Sequence, residues 1–105
     1  MEIKLLTTEK AELLQDGNTY VVAYKPLQYK ESSTVKLEVT NIPLNDLSVR
    51  AVCTLCTQAS VKIENQKAII TITYDTKNVG NFDKRVSFFH QGQLTTIKIK
   101  GTVTR

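Results

Sequence analysis

Residues 34–40, "TVKLEVT", alternate without a break: Val35, Leu37 and Val39 fall on one side of an extended chain and Lys36, Glu38 and Thr40 on the other. Successive side chains of a strand point to opposite faces, so this run has one face for a core and one for water. The beat returns along the chain. "AIITITY" (68–74) sets Ile70, Ile72 and Tyr74 against Thr71 and Thr73, "TTIKIKGTV" (95–103) sets Ile97 and Ile99 against Lys98 and Lys100, and "DLSVRAVC" (46–53) sets Leu47, Val49, Ala51 and Cys53 against Ser48 and Arg50. The β-branched and aromatic runs at 19–25 and 85–90 predict two further strands, with "EIKLL" at the start and "SVKIE" at 60–64 as shorter ones.

Turn chemistry separates these runs. Asp16-Gly17, Asn41 with Pro43, Asn65-Gln66, the stretch from Asn78 to Asn81 with Gly80, and Gln91-Gly92 are where the chain should reverse, because Gly and Asn tolerate positive φ and Pro ends ladders. Only "TTEKAELLQ" (7–15) has helical composition, and it lacks a clear cap. At 105 residues, 41% hydrophobic, the chain can bury one core. The expectation is therefore a single domain over 1–105: all-β, an immunoglobulin-like antiparallel β-sandwich of seven to eight strands.

The stretches "NDLSVRAVCTLCTQ", "AIITITYDTKNVGNFDKRVSFF" and "TTIKIKGTV" resemble the bacterial Ig-like domain of unknown function abundant in Bacteroidota, a relative of the major-sperm-protein, hydin and ASH sandwiches. The likeness spans about residues 34–104. Its most specific piece is "YDTKNVGNFDKRVSFF": a strand ending in an aromatic and Asp-Thr, a Gly-bearing loop, an aromatic, a basic pair and another strand. Where that family usually carries Cys-x-Cys before Thr, this chain has Cys53-Thr54-Leu55-Cys56-Thr57, one residue longer.

Cys53 and Cys56 invite a metal or redox reading. A structural zinc takes four ligands, and the chain offers two thiols and His90, with no carboxylate at a telling spacing. A thioredoxin-type pair opens a helix, whereas Thr, Gln, Ala, Ser and Val follow Cys56. The plain reading makes Cys53 a small inward hydrophobe continuing Val49 and Ala51, with Cys56 at or past the strand's end and a local disulfide open to it. His90, just before the Gln91-Gly92 turn, is expected at a solvated hairpin tip. Asp75 and Asp83 flank a loop and read as turn chemistry. No Gly-x-Ser-x-Gly, Gly-rich phosphate loop or His-Glu-x-x-His occurs. Neither an enzyme nor a cofactor is expected, and no metal site.

The formal charge of +4 permits attraction to anions. Its basic residues are dispersed among acids without a basic run, so a nucleic-acid partner is not expected. The opening "MEIKLLTTEKAELL" has an acid at position 2 and no small-residue cleavage site, so neither a secretory signal nor a membrane partner is expected. What remains is protein binding. In "AYKPLQYK", Tyr24, Leu27 and Tyr29 surround Pro26 and form a candidate partner surface, the alternative being that they cover the sandwich's open end. Phe82 in "NVGNFDK" is a second candidate, the alternative being a loop anchor on the core. Ig-like modules commonly serve as accessories on tailed-phage particles; with the Bacteroidota resemblance this implies a virion accessory, decorating a capsid or joining head or tail parts. Its location would then be the virion, assembled in the host cytoplasm, with capsid or other virion proteins as partners and no small-molecule substrate. A bacterial cell-envelope or intracellular adaptor, or a metal or redox module using Cys53 and Cys56, are the alternatives.

Overall fold

The structure, a computed structural model, describes residues 1–105 and contains ten strands and no helix. They are β1 (Glu2–Leu5), β2 (Ala11–Asp16), β3 (Thr19–Tyr24), β4 (Leu27–Gln28), β5 (Thr34–Thr40), β6 (Leu47–Ala51), β7 (Thr57–Glu64), β8 (Lys67–Tyr74), β9 (Gly80–His90) and β10 (Gln93–Thr104). One sheet has the order β1-β5-β8-β7. The other runs β2-β3-β10-β9-β6, with β4 on the β10 edge. The immunoglobulin sandwich pairs strands A, B, E and D against C, F and G; β1, β5, β8 and β7 stand in the first set of places, and β6, β9 and β10 in the second.

The alternating runs form strands for the reason their pattern implies. Val35, Leu37 and Val39 of β5, Ile70 and Ile72 of β8, Val86 and Phe88 of β9, and Ile97, Ile99 and Val103 of β10 are all fully buried between the sheets. Each such side chain taken out of water contributes about 1.5–3 kcal/mol before entropy is counted.

Four expectations require correction, and a stretch marginal as a helix proves to be a strand. The strands number ten rather than seven or eight. The stretch of helical composition at 7–15 supplies β2, because Ala11 and Leu13 pair across from Tyr24 and Val22 and add their side chains to the core, a tertiary gain that a short uncapped helix could not match. Pairing is not wholly antiparallel: β3 and β4 both run parallel to β10, since the N-terminal segment crosses from the first sheet to the second and enters beside the last strand. His90 is not at a solvated tip. It lies on the inward row of Phe82, Val86 and Phe88, buried, with its Nε2 2.9 Å from Thr95 Oγ1 and its ring stacked on Phe88. Cys53 does not extend the inward face of β6, which ends at Ala51; Cys56 is the cysteine that packs against the core.

The two ends of the sandwich differ. At one, β2–β3, β7–β8 and β9–β10 reverse through two residues each, and we term it the turn pole. At the other, segments 6–10, 25–33, 52–56 and 75–79 come together, and we term it the loop pole.

Candidate interaction surface

The loop pole is tied together by backbone polar groups. Asp75 N–H donates to Cys56 C=O at 2.7 Å, Lys30 N–H to Thr76 C=O at 3.2 Å, Tyr29 N–H to Thr104 C=O at 2.7 Å, and the Thr76 hydroxyl to Glu31 C=O at 2.8 Å. Lys10 and Glu31 add an ion pair. The Lys10 ammonium and, after it, the Gln28 N–H hold the Glu31 carboxyl below the usual carboxylate range. Four segments distant in sequence therefore form one platform.

Its floor is aromatic. The Tyr74 and Phe82 rings stack with centroids 4.0 Å apart, and Tyr24 tilts against Phe82 at 5.7 Å. Gly101 lies beneath: a Cβ there would stand 3.0 Å from the Phe82 ring and from Tyr24 Cβ, so any side chain would push both rings from their seats by a few tenths of an ångström. The Tyr24 hydroxyl donates to Ser33 C=O at 3.0 Å, and the Ser33 hydroxyl to Tyr74 C=O. Burial pushes the Tyr24 phenol well above its ordinary value. Tyr74 is raised too, by burial and then by the charge of Asp75.

Three of the four residues expected at a partner surface thus lie in the core: Tyr24, Leu27 and Phe82 are buried. Leu27 sits in β4, opposite Val103. Only Tyr29 reaches the surface, half-buried, with the Arg105 guanidinium 4.7 Å and the Lys30 ammonium 5.3 Å from its ring centroid. The structure brings all four to one pole, as the covering of an open end, and leaves the outermost layer to others.

That layer is the 52–56 loop. Cys53 and Cys56 are joined, their Cα atoms 5.8 Å apart, and Thr57 N–H donates to Cys53 C=O at 3.0 Å. Closing so short a loop removes freedom worth about 2 kcal/mol from the unfolded chain. Between the two anchors Leu55 is 93% exposed; Val52 is 70% exposed just before them, and Val79 in the neighbouring loop 53%. Beside Leu55 lies a hollow of about 300 Å³ bordered by Cys56, Gln58, Thr73, Asp75 and Lys77. With the loop backbone already closed, covering these side chains costs their own rotamer freedom but little further backbone order.

Sequence reasoning passed over Val52, Leu55 and Val79. Val52 carries a weak signal, since it is apolar but out of phase with Val49 and Ala51. Leu55 carries none, because an apolar residue between two cysteines reads as core.

The carboxylates of the region are engaged. Asp75 Oδ1 accepts from the Lys77 N–H at 3.0 Å, and Asp83 pairs with Lys98 at 3.1 Å. No third His, Cys, Asp or Glu joins Cys53 and Cys56 in a group able to hold a metal ion. The arrangement offers an apolar knob on a braced platform. No protein-family model matches the chain and no curated protein matches it, so what it shares with the Ig-like class is the sandwich itself.

Proposed function

We propose that this chain is a non-enzymatic protein-binding module that docks through its loop pole, as a virion accessory of a tailed phage infecting Bacteroidota, on capsid or other head or tail proteins. One observation carries the docking reading: Leu55 stands almost wholly in water on a tip closed by Cys53 and Cys56 and hydrogen-bonded to the next loop. Exposed apolar groups on a braced loop are how rigid scaffolds present hot spots. The virion setting is supported by the likeness of "YDTKNVGNFDKRVSFF" to the Bacteroidota domain and by the use of Ig-like modules on such particles. A protein partner is favoured over nucleic acid because the basic residues are dispersed along the sequence among acids, and Lys10, Lys62, Lys67 and Lys98 are paired with carboxylates.

Burying Leu55 on a partner would contribute about 2 kcal/mol, so Leu55→Ser should weaken docking roughly 30-fold. The variant's own stability should move by less than about 0.5 kcal/mol, as surface changes do. The test is mass spectrometry of purified particles followed by sedimentation of wild-type and Leu55→Ser chains with them. Absence of the chain from particles would end the virion reading, and equal retention of both chains would end the docking role of the tip.

A further inference from the structure

Four strands end the two sheets: β1 with four residues, β6 with five, β2 with six and β7 with eight. Of these β7 is the longest, and its pairing with β8 runs from Thr57 opposite Tyr74 to Glu64 opposite Lys67 with no skipped residue. Natural edges are blunted by shortness, proline, bulges or a charge on the inward row. β7 has no proline, no bulge, and an inward row of Ala59, Val61 and Ile63.

The hairpin fixes which backbone groups are free. Asn65 and Gln66 both have positive φ (48° and 63°), the two-residue type I′ turn, which makes the flanking pair Glu64 and Lys67 a mutually hydrogen-bonded one. Counting back, Lys62, Ser60 and Gln58 also spend their N–H and C=O groups on β8. Ala59, Val61 and Ile63 therefore turn theirs outward, three donors and three acceptors along an open edge. The apolar side chains of this row are incompletely covered where the sheet stops: Ala59 and Val61 are half-buried and Ile63 is 50% exposed.

We infer that β7 pairs antiparallel with β7 of a second copy about a two-fold axis at Val61, joining two four-stranded sheets into one of eight strands. The strand is complementary to itself in that register. Val61 meets Val61 and Ala59 meets Ile63 on the inner face; Ser60 meets Lys62 and Gln58 meets Glu64 on the outer face, so no like charges lie directly opposite. Six hydrogen bonds form between the free groups of the two copies. Centring on Lys62 would set two lysines directly opposite one another, and centring on Ser60 would put Ile63 against Thr57, whose N–H already serves Cys53 C=O. Centring on Ile63 brings Val61 against the turn residue Asn65, and centring on Ala59 leaves Ile63 without a partner. Lys62 lies 3.4 Å from Glu64 of its own strand, so the outer row of the edge carries one charge of each sign. An isologous contact of this kind closes on itself and yields a dimer rather than a fibre.

This inference is independent of the loop pole and is tested with the full chain alone. Sedimentation velocity from micromolar to millimolar concentration should show the mass doubling, and Leu55→Ser should dimerise as wild type does. Repulsion between two chains of +4 is screened by salt, so added salt should strengthen the dimer. Ile63→Lys places a charge on the inward row and should leave a folded monomer throughout. Amide exchange on the wild type needs no variant: the Ala59, Val61 and Ile63 amides should gain protection as concentration rises, while those of β1 and β6 stay unchanged. A chain that is monomeric at every concentration, a dimer that survives Ile63→Lys, or protection arising at β1 or β6 instead would overturn it.

Discussion

The two poles of the sandwich connect the same strands by different means. At the turn pole the chain reverses at Gly17, at Asn65-Gln66 and at Gln91-Gly92, with φ values of 60°, 48° and 63°, and 52° and 74°. In each of these three reversals the backbone sits in the left-handed region and the residue types there decide its cost, while the 41–46 link from β5 to β6 at the same end is tied to Gln91, whose Nε2 donates to Asn45 Oδ1 at 3.0 Å. At the loop pole no short turn closes a hairpin. The 25–33, 52–56 and 75–79 segments are held by hydrogen bonds to one another and by a shared aromatic floor, so each depends on residues far away in sequence. Leu55 and Val52, the two most exposed large apolar residues of the chain, stand at this end.

Phe82→Ala is the sharpest way to break that difference. Phe82 contacts both Tyr24 and Tyr74 and fills the space left by Gly101. Its loss should cost about 3–5 kcal/mol in chemical denaturation. Amide exchange should quicken first at 25–33 and 75–79, with the β7–β8 turn nearly unaffected. Equal loosening at both ends would mean that the poles are one cooperative unit.

The same comparison separates what was legible in the sequence from what was not. Two-residue alternation revealed β5, β8, β10 and most of β6, and the Gly and Asn signals located all three two-residue turns, because strand faces and left-handed backbone are properties of neighbouring residues. "AELLQ" hid β2: Leu14 points outward and is exposed, which spoils the alternation and mimics a helical pattern. Phe88-Phe89-His90 hid the inward place of His90, since two aromatics in a row do not say which faces the core. Parallel pairing of β3 with β10 joins Tyr20 to Ile97, and no local pattern encodes a partner so distant. Of the residues expected at a partner surface, Tyr24, Leu27, Tyr29 and Phe82 come to one pole, but the first two and the last as its buried floor, for hydrophobicity reports a wish to be covered without saying by what.

A smaller effect probes the floor of the loop pole by pH. The Tyr24 phenol has an ordinary value of 10.0 and is raised well above it by burial, so the folded chain keeps its proton where the unfolded chain has lost it. Stability from this group is fully present below pH 10 and declines as pH rises above it toward the folded value. Tyr24→Phe should flatten that alkaline decline, leaving the part owed to Tyr74, which is raised in the same direction. At neutral pH the variant should lose about 1 kcal/mol, because the buried Ser33 C=O loses its donor. Urea titrations at neutral pH and above pH 10 would show both, and an unchanged alkaline slope would place the Tyr24 hydroxyl in contact with water.

The least effect, and one of opposite sign, is expected at the turn pole. Gln66 holds φ at 63° with an ordinary side chain, whereas the corresponding place in the β9–β10 turn is Gly92 at 74°. Left-handed backbone costs a non-glycine residue about 1–2 kcal/mol, and glycine gives back part of the saving through its greater freedom when unfolded. Gln66→Gly should therefore stabilise the chain by about 0.5–1 kcal/mol, read as a higher denaturation midpoint with an unchanged slope. Because the turn is local, this gain should add without coupling to the loss from Phe82→Ala in the double variant, the two sites lying at opposite ends with no shared partner. A coupling larger than about 0.5 kcal/mol would show that the strain in the β7–β8 turn is communicated through the strands to the aromatic floor, and the division into a locally closed pole and a mutually braced one would have to be abandoned.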